Sequence, residues 1–255
     1  MLFDAPLADI RAYIGRAEAS GELRRMTPTT GSTWRADEPQ VVLRQSTGLE
    51  LGSTSAASLG LLLWHGSEPS EDAVLLVGPD LAEAGGGAAP VLAPPAGSGM
   101  KLRRPFAQVI CVRVRGGDDE VYQRYRDMRE ARQRVALRGV MWRTLPRQQS
   151  IWCRIDRASL AEGLDARTLG SAFVHEMRAL PFVEAVQVLM VTAGQAAVEQ
   201  LRPAAAQVLD IVDALTRMHE ETMELDCDSC EYEAICDAAD ELRRIHRRLS
   251  QRSER

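Results

Sequence analysis

Residues 183–191 read Val-Glu-Ala-Val-Gln-Val-Leu-Met-Val, and only the second and fifth of these side chains are polar. Branched apolar side chains at this density are typical of a strand that is covered on both faces of a sheet. Pro181 stands just before the run and ends the helical pattern that precedes it. We therefore predict that this run is a central strand.

Outward from this run, the apolar patterns predict a mixture of strands and helices. Further strands are predicted at residues 41–43, 58–64, 72–77, 106–114 and 150–155, and a turn at 49–53. Helices are predicted over residues 7–20, 118–137, 165–180 with Asp165 as the N-cap, and 193–218 with a kink or break at Pro203. The predicted fold class is α+β, with a mixed or antiparallel sheet flanked by helices.

The domain organisation is predicted from composition. Residues 83–100 are rich in Gly, Pro and Ala, which indicates a flexible loop. No Gly-Lys-Ser/Thr sequence follows the glycines, so the loop does not have the pattern of a phosphate-binding loop. We predict an α/β domain over residues 1–195 and a helical extension over residues 196–255.

The net charge, the N-terminal sequence and the cysteine number limit the classes of protein to which this chain can belong. A net charge of −5 argues against general nucleic-acid binding. The N-terminus lacks the pattern of a secretory signal, and no apolar run approaches the roughly eighteen residues of a membrane span. Five cysteines, an odd number, suit a reducing compartment. We expect a cytoplasmic protein with no membrane partner.

The strongest chemical motif lies near the C-terminus, where residues 226–237 carry Cys227, Cys230 and Cys236 in the spacing C-x2-C-x5-C. Three thiolates at this spacing can converge on one metal centre, and both zinc and iron–sulfur sites usually have four ligands. A 4Fe–4S cluster is the favoured interpretation, with zinc as the alternative. The open candidates for the fourth ligand are Cys153, Cys111, His219, His246 and an external molecule.

A second candidate site lies in an arginine-rich segment. Between residues 115 and 157 there are eleven arginines and six acids, in a chain that is acidic as a whole. Guanidinium groups bind phosphates in a bidentate manner, and indole rings stack on purines. The candidate residues for coenzyme A or another nucleotide-bearing ligand are Trp142, Arg147, Trp152 and Arg154. Ordinary surface and core roles are the alternative.

Over ten residues, the motif Cys-x-x-Cys-x-Tyr-x-x-Ile-Cys of residues 227–236 resembles the iron–sulfur staple of AddB-type exonucleases. That resemblance implies an iron–sulfur accessory in nucleic-acid processing. It is the weaker functional alternative because the chain shows no nuclease core of carboxylates and lysine.

A wider resemblance covers roughly residues 40–195. It consists of motifs in a shared order: Leu49-Glu50-Leu51-Gly52, Val77-Gly78-Pro79-Asp80-Leu81, the arginine-rich helix, Gly139-Val140-Met141, Ile151-Trp152-Cys153-Arg154-Ile155, Gly163 and Val186-Gln187-Val188. This order resembles CO-methylating acetyl-CoA synthase, the beta subunit of the CO dehydrogenase/acetyl-CoA synthase complex, in its middle region. The chain is therefore expected to be a shortened relative with a short Cys-rich tail.

The resemblance implies that Trp152 and Arg154, with Arg147 and Trp142, contribute to coenzyme A binding. It also implies that the three-cysteine motif occupies the place where that family begins its nickel–iron–sulfur domain. No Cys-Gly-Cys sequence, the family's ligand for the distal nickel, occurs here, so we expect no complete nickel site.

The expected function is an accessory, assembly or partner-binding module of one-carbon metabolism. Its expected partners are components of that complex, a corrinoid protein or a second copy of this chain. The alternative is a subunit whose acyl-transfer activity is completed by another chain.

Overall fold

The fold is described from a computed structural model of the chain. The described residues are 2–30, 33–52, 58–66, 71–78, 102–115, 121–145 and 148–222. The predicted loop 83–100, the candidate residue Arg147 and the predicted metal ligands Cys227, Cys230 and Cys236 lie outside these ranges.

The chain divides into two compact units, Met1–Leu215 and Thr216–Arg255. The second unit is described only over residues 216–222. The domain division predicted after residue 195 stays a prediction. All strands described below belong to the first unit.

Two sheets form the framework of the first unit. The strands within the described ranges are β1 (Leu23–Met26), β2 (Thr47–Leu51), β3 (Ser58–His65), β4 (Ala73–Val77), β5 (Leu102–Arg104), β6 (Phe106–Val114), β7 (Val140–Leu145), β8 (Ser150–Asp156) and β9 (Val183–Val191). The five-stranded sheet has the order β1-β4-β9-β6-β3, and the four-stranded sheet has the order β5-β2-β8-β7. Strand β9 is parallel to β4 and antiparallel to β6, so the predicted central strand lies in the middle of a mixed sheet.

Helices complete the architecture. They are α1 (Asp4–Ala19), α2 (Val121–Arg134), α3 (Arg157–Ala161), α4 (Ala166–Arg178), α5 (Gln195–Glu199) and α6 (Arg202–Thr222). The α+β fold class is thereby confirmed. Among the described residues, no helix combines the length and the apolar character needed to cross a membrane.

Helix α4 shows how local sequence sets this architecture. The Asp165 carboxylate accepts a hydrogen bond from the Thr168 backbone N–H at 2.7 Å, which satisfies one of the free donors at the helix start. The helix packs on β9 and β4. Its glycine, Gly170, permits this approach, because a Cβ there would lie 2.5 Å from Val74 Cγ1. Phe173 and Met177 are fully buried on the same helix.

The two sheets meet where β3 lies against β8. The Ser58 hydroxyl donates to the Ile151 carbonyl and accepts from the Ile151 N–H at 3.0 Å. Two residues further along β3, the Gly60 N–H donates to the Gln149 carbonyl at 2.7 Å. These bonds satisfy backbone groups at the start of β8 and join the two sheets in one core.

Candidate functional site

The side chains of β8 divide between the two faces of the four-stranded sheet. Ile151, Cys153 and Ile155 are buried on the inner face, whereas Trp152 and Arg154 are only partly buried. Successive side chains of a strand point to opposite faces, so Trp152 and Arg154 share the outer face. The structure therefore brings together the two residues that the sequence singled out most strongly.

On this outer face, Arg154 makes two contacts that hold its guanidinium group. Its Cζ atom lies 4.3 Å from the centroid of the Trp152 ring, a cation–π contact. Its Nε donates to Glu50 Oε1 at 2.9 Å across the β2–β8 pairing. A guanidinium fixed between a ring and a carboxylate loses little further conformational freedom when it binds a ligand.

Glu50 is the centre of this arrangement. Its side chain is only 5% exposed, although it lies on the outer face, and Arg103 Nε approaches Glu50 Oε2 at 3.2 Å from strand β5. Each carboxylate oxygen thus has its own guanidinium partner, which compensates the cost of burying the charge. Two arginines share one carboxylate, so the cluster keeps a net positive charge.

Arg143 adds a third guanidinium to the same face. It lies directly across from Trp152 in the β7–β8 pairing and is exposed. Within the described part of the chain it makes no hydrogen bond or ion pair. We name the set Glu50, Arg103, Arg143, Trp152 and Arg154 the outer-sheet cluster. It offers an aromatic ring and guanidinium groups, which suit a ligand with a planar base and phosphates.

Trp142 lies on the other side of the same sheet. It pairs with Cys153 across β7 and β8, and its ring contacts the Phe173 ring edge-on, with centroids 4.8 Å apart. Its indole Nε1 is buried without a hydrogen-bond partner in the described residues. The structure therefore separates Trp142 from Trp152 and Arg154 and gives it a packing role against α4.

Cys153, the candidate fourth metal ligand, lies within the apolar core. It is fully buried between Leu51 of β2 and Trp142 of β7. Burial raises the pKa of its thiol well above the ordinary value, because the thiolate would lose its hydration. A metal ligand must be a thiolate, so ligation by Cys153 would require this part of the core to open. Its assignment as the fourth ligand stays a prediction.

No grouping of three or more His, Cys, Asp or Glu side chains suited to a metal is found in the ranges that the structure describes. The three cysteines of the C-x2-C-x5-C motif lie outside those ranges, so this observation does not bear on them. Cys111 of β6, another candidate for the fourth ligand, is half-buried and forms no disulfide with Cys153, the other described cysteine.

A cavity that the sequence did not indicate lies beside α4. Its volume is about 100 Å³, and Arg35, His175 and Glu176 line its polar side. Arg35 Nη1 lies 2.6 Å from His175 Nε2. A guanidinium can only donate, so His175 Nε2 is the acceptor of this hydrogen bond.

Glu176 supplies the carboxylate of this cavity. Its carboxylate is 3.4 Å from Arg35 and 3.8 Å from Arg134, and both pairs bring together residues distant in sequence. Side chains that come from separate elements leave no local spacing pattern, so these residues could not be found by sequence reasoning.

Comparison with protein-family models finds no match to this chain, and comparison with curated protein sequences finds no significant match.

Proposed function

We propose that this chain is an acetyl-CoA-synthase-like binding module, which takes up a nucleotide-bearing ligand on the outer-sheet cluster. Coenzyme A is the specific candidate. The observation that carries this proposal is the stacking of Arg154 on Trp152, with Arg154 held by Glu50. A preformed pair of this kind presents a charged, planar surface without further ordering.

The charge of the cluster supports an anionic ligand. Glu50 is shared between Arg103 and Arg154, while Arg143 stands opposite Trp152 without a carboxylate partner among the described residues. Phosphate groups would pair with Arg143 and with the free N–H donors of Arg103. The adenine ring would stack on the Trp152–Arg154 pair.

We propose further that Cys227, Cys230 and Cys236 bind a 4Fe–4S cluster, or zinc, in a cytoplasmic, reducing environment. The module would then act as an accessory, assembly or partner-binding component in CO dehydrogenase/acetyl-CoA one-carbon metabolism. The support is the cysteine spacing together with the resemblance of residues 40–195. A second chain would have to supply any nickel chemistry.

The ligand proposal is tested by titrating the full chain with coenzyme A and following heat or tryptophan fluorescence. Removing one guanidinium contact in Arg143→Gln is expected to weaken binding about tenfold, as is Arg154→Gln. Arg126→Gln is the matched control, because Arg126 is an exposed arginine on α2 that pairs only with Glu130 among the described residues. Equal affinities in all three variants, or no binding at all, would reject the outer-sheet cluster as the site.

The metal proposal is tested separately by anaerobic purification with metal and sulfide analysis. A cubane predicts about four irons with matching acid-labile sulfide, both lost in Cys227→Ser. One zinc without sulfide would replace the cluster by a structural site. Nickel beside the iron would favour the alternative of an enzyme subunit, and absence of any metal would reject the motif as a ligand set.

A further inference from the structure

Arg132 of α2 is a buried cation that has no carboxylate partner in the described part of the chain. It is 8% exposed, and no Asp or Glu of the described residues forms an ion pair with it. Its only hydrogen-bond acceptor within the described ranges is Gln108 Oε1, at 3.2 Å from Nε and 3.0 Å from Nη2. Burial lowers the pKa of Arg132 to about 10, with Tyr125 acting in the opposite direction. The guanidinium therefore stays charged at neutral pH, and an unpaired buried charge is costly.

Among the described residues, Gln108 is the acceptor that Arg132 contacts. Because an arginine cannot accept, Gln108 must turn its oxygen toward Arg132. The Gln108 amino group is then left buried without a partner among the described residues. Two of the five guanidinium N–H donors share the Gln108 oxygen, so three have no protein acceptor in the described structure.

The fold makes room for this arginine at a specific place. Gly60 lies in the interior of β3, and a Cβ there would be 2.6 Å from Arg132 Nη2. Glycine weakens a strand and often marks a point where another group approaches closely. The mid-strand glycine is therefore explained by the approach of the buried guanidinium.

A small cavity of about 20 Å³ adjoins Arg132, between α2 and the β7–β8 hairpin. Arg129, Tyr125, Gln133, Thr144 and Gln149 also line it, and none of the lining residues that the structure describes is acidic. Gln149 has a φ of 45°. Its backbone carbonyl already accepts a hydrogen bond from the Gly60 N–H. The volume suits about one water-sized occupant.

We propose that this cavity is a binding site for a monatomic anion of the size of chloride. Arg132 supplies the buried positive charge, Arg129 supplies a second guanidinium at the mouth, and the Tyr125 hydroxyl can donate to the same occupant. An anion would neutralise the buried charge and accept the unpaired donors. The small volume favours a monatomic anion over phosphate and organic acids, which contain several heavy atoms.

This site is separate from the proposed coenzyme A surface. Thr144 pairs with Ile151 and so lies on the inner face of the four-stranded sheet, whereas Trp152 and Arg154 lie on the outer face. Anion binding would stabilise the packing of α2 against both sheets. The bound anion would thus stabilise the folded chain. This proposal does not depend on the proposed function.

The test is the stability of the full chain in sodium chloride and in sodium gluconate at equal ionic strength. Since an anion that binds only the folded state raises stability with its concentration, chloride is expected to raise the urea midpoint in a saturable way, and gluconate is not. Equal ionic strength removes general screening from the comparison. Equal midpoints in both salts would mean that the cavity holds only water, which overturns the proposal.

Variants assign any chloride response to this cavity. Arg129→Gln is expected to weaken the apparent chloride affinity about tenfold while the fold is kept, because Arg129 is exposed. Arg132→Met is expected to abolish the response. Arg126→Gln, an exposed arginine on the same helix, is the control and should respond like the unaltered chain.

Line broadening in the chlorine-35 NMR spectrum, reversed by bromide, gives a readout that does not depend on unfolding. If Arg132→Met fails to fold, the NMR measurement still tests the proposal, because the chlorine-35 line should be less broadened in Arg129→Gln than in the unaltered chain. A chloride response that is unchanged in Arg129→Gln and also in folded Arg132→Met would place the bound anion elsewhere and reject this site.

Discussion

Glu50 and Arg154 lie opposite each other on β2 and β8, and Arg154 Nε donates to Glu50 Oε1 at 2.9 Å. The Glu50 side chain is 5% exposed and that of Arg154 is 22% exposed, so the pair is largely shielded from water. Arg103 binds the second Glu50 oxygen from β5. One carboxylate thus links the middle of the four-stranded sheet to its edge.

Glu50→Gln is expected to lower the free energy of unfolding by about 2 kcal/mol, because two guanidinium groups lose their charged acceptor. Urea unfolding at neutral pH measures the effect. Glu130→Gln removes an exposed pair with Arg126 and is expected to change the free energy of unfolding by less than about 0.5 kcal/mol. A Glu50→Gln effect no larger than that of the control would show that the pair contributes little.

Gly170→Ala is expected to destabilise the protein by about 1–3 kcal/mol, since a Cβ would lie 2.5 Å from Val74 Cγ1 in a packed core. Gly15→Ala is the matched control in α1, where a Cβ meets nothing within 4 Å. There the better helix propensity of Ala is expected to stabilise by about 0.5–1 kcal/mol. Thermal or urea unfolding compares the two variants. Effects of the same sign would contradict the close packing of α4 on β4.

Asp165→Ala is expected to reduce the free energy of unfolding by about 1 kcal/mol, because the Thr168 N–H loses its capping acceptor. Asp165→Asn retains a side-chain oxygen and is expected to be nearly neutral. If both variants lose the same stability, the charge of Asp165 and not the cap would be responsible. Urea titration at neutral pH distinguishes these outcomes.

Cys153 is expected to make the protein less stable at alkaline pH. The thiol pKa is raised in the folded state, so above its ordinary value near 9 the unfolded chain loses this proton first. The stabilisation from the buried, protonated thiol is fully present below a pH of about 9 and falls as the pH rises further. Cys153→Val is expected to show a smaller loss of unfolding free energy between pH 8 and 10 than the unaltered chain. Parallel pH profiles for the two proteins would contradict the buried, protonated thiol.

Long apolar runs were predicted well from the sequence. The strands predicted at 106–114 and 183–191 coincide with β6 and β9, and the predicted Asp165 cap forms. The predicted helical stretch after residue 193 is broken just before Pro203, between α5 and α6. These elements depend on local propensity and on burial, which the order of residue types already contains.

Short elements were predicted poorly. The turn predicted at 49–53 is wrong, because Thr47–Leu51 forms β2. The strand predicted at 41–43 is also wrong, since Val41 and Leu43 are 79% and 56% exposed and no described strand pairs with them. Strands β1, β5 and β7 were not predicted. A short segment becomes a strand only when a partner pairs with it, and the partner is set by the fold.

For the candidate site, the sequence by itself determined the alternation in residues 150–156. It places Trp152 and Arg154 on one face and Cys153 on the other, because successive strand side chains point in opposite directions. Only the tertiary structure decided the partners: Arg154 meets Glu50 from 104 positions away, and Arg35 meets His175 from 140 positions away. Such contacts form when sheets and helices pack against each other. They produce no periodic pattern of residue types in the sequence.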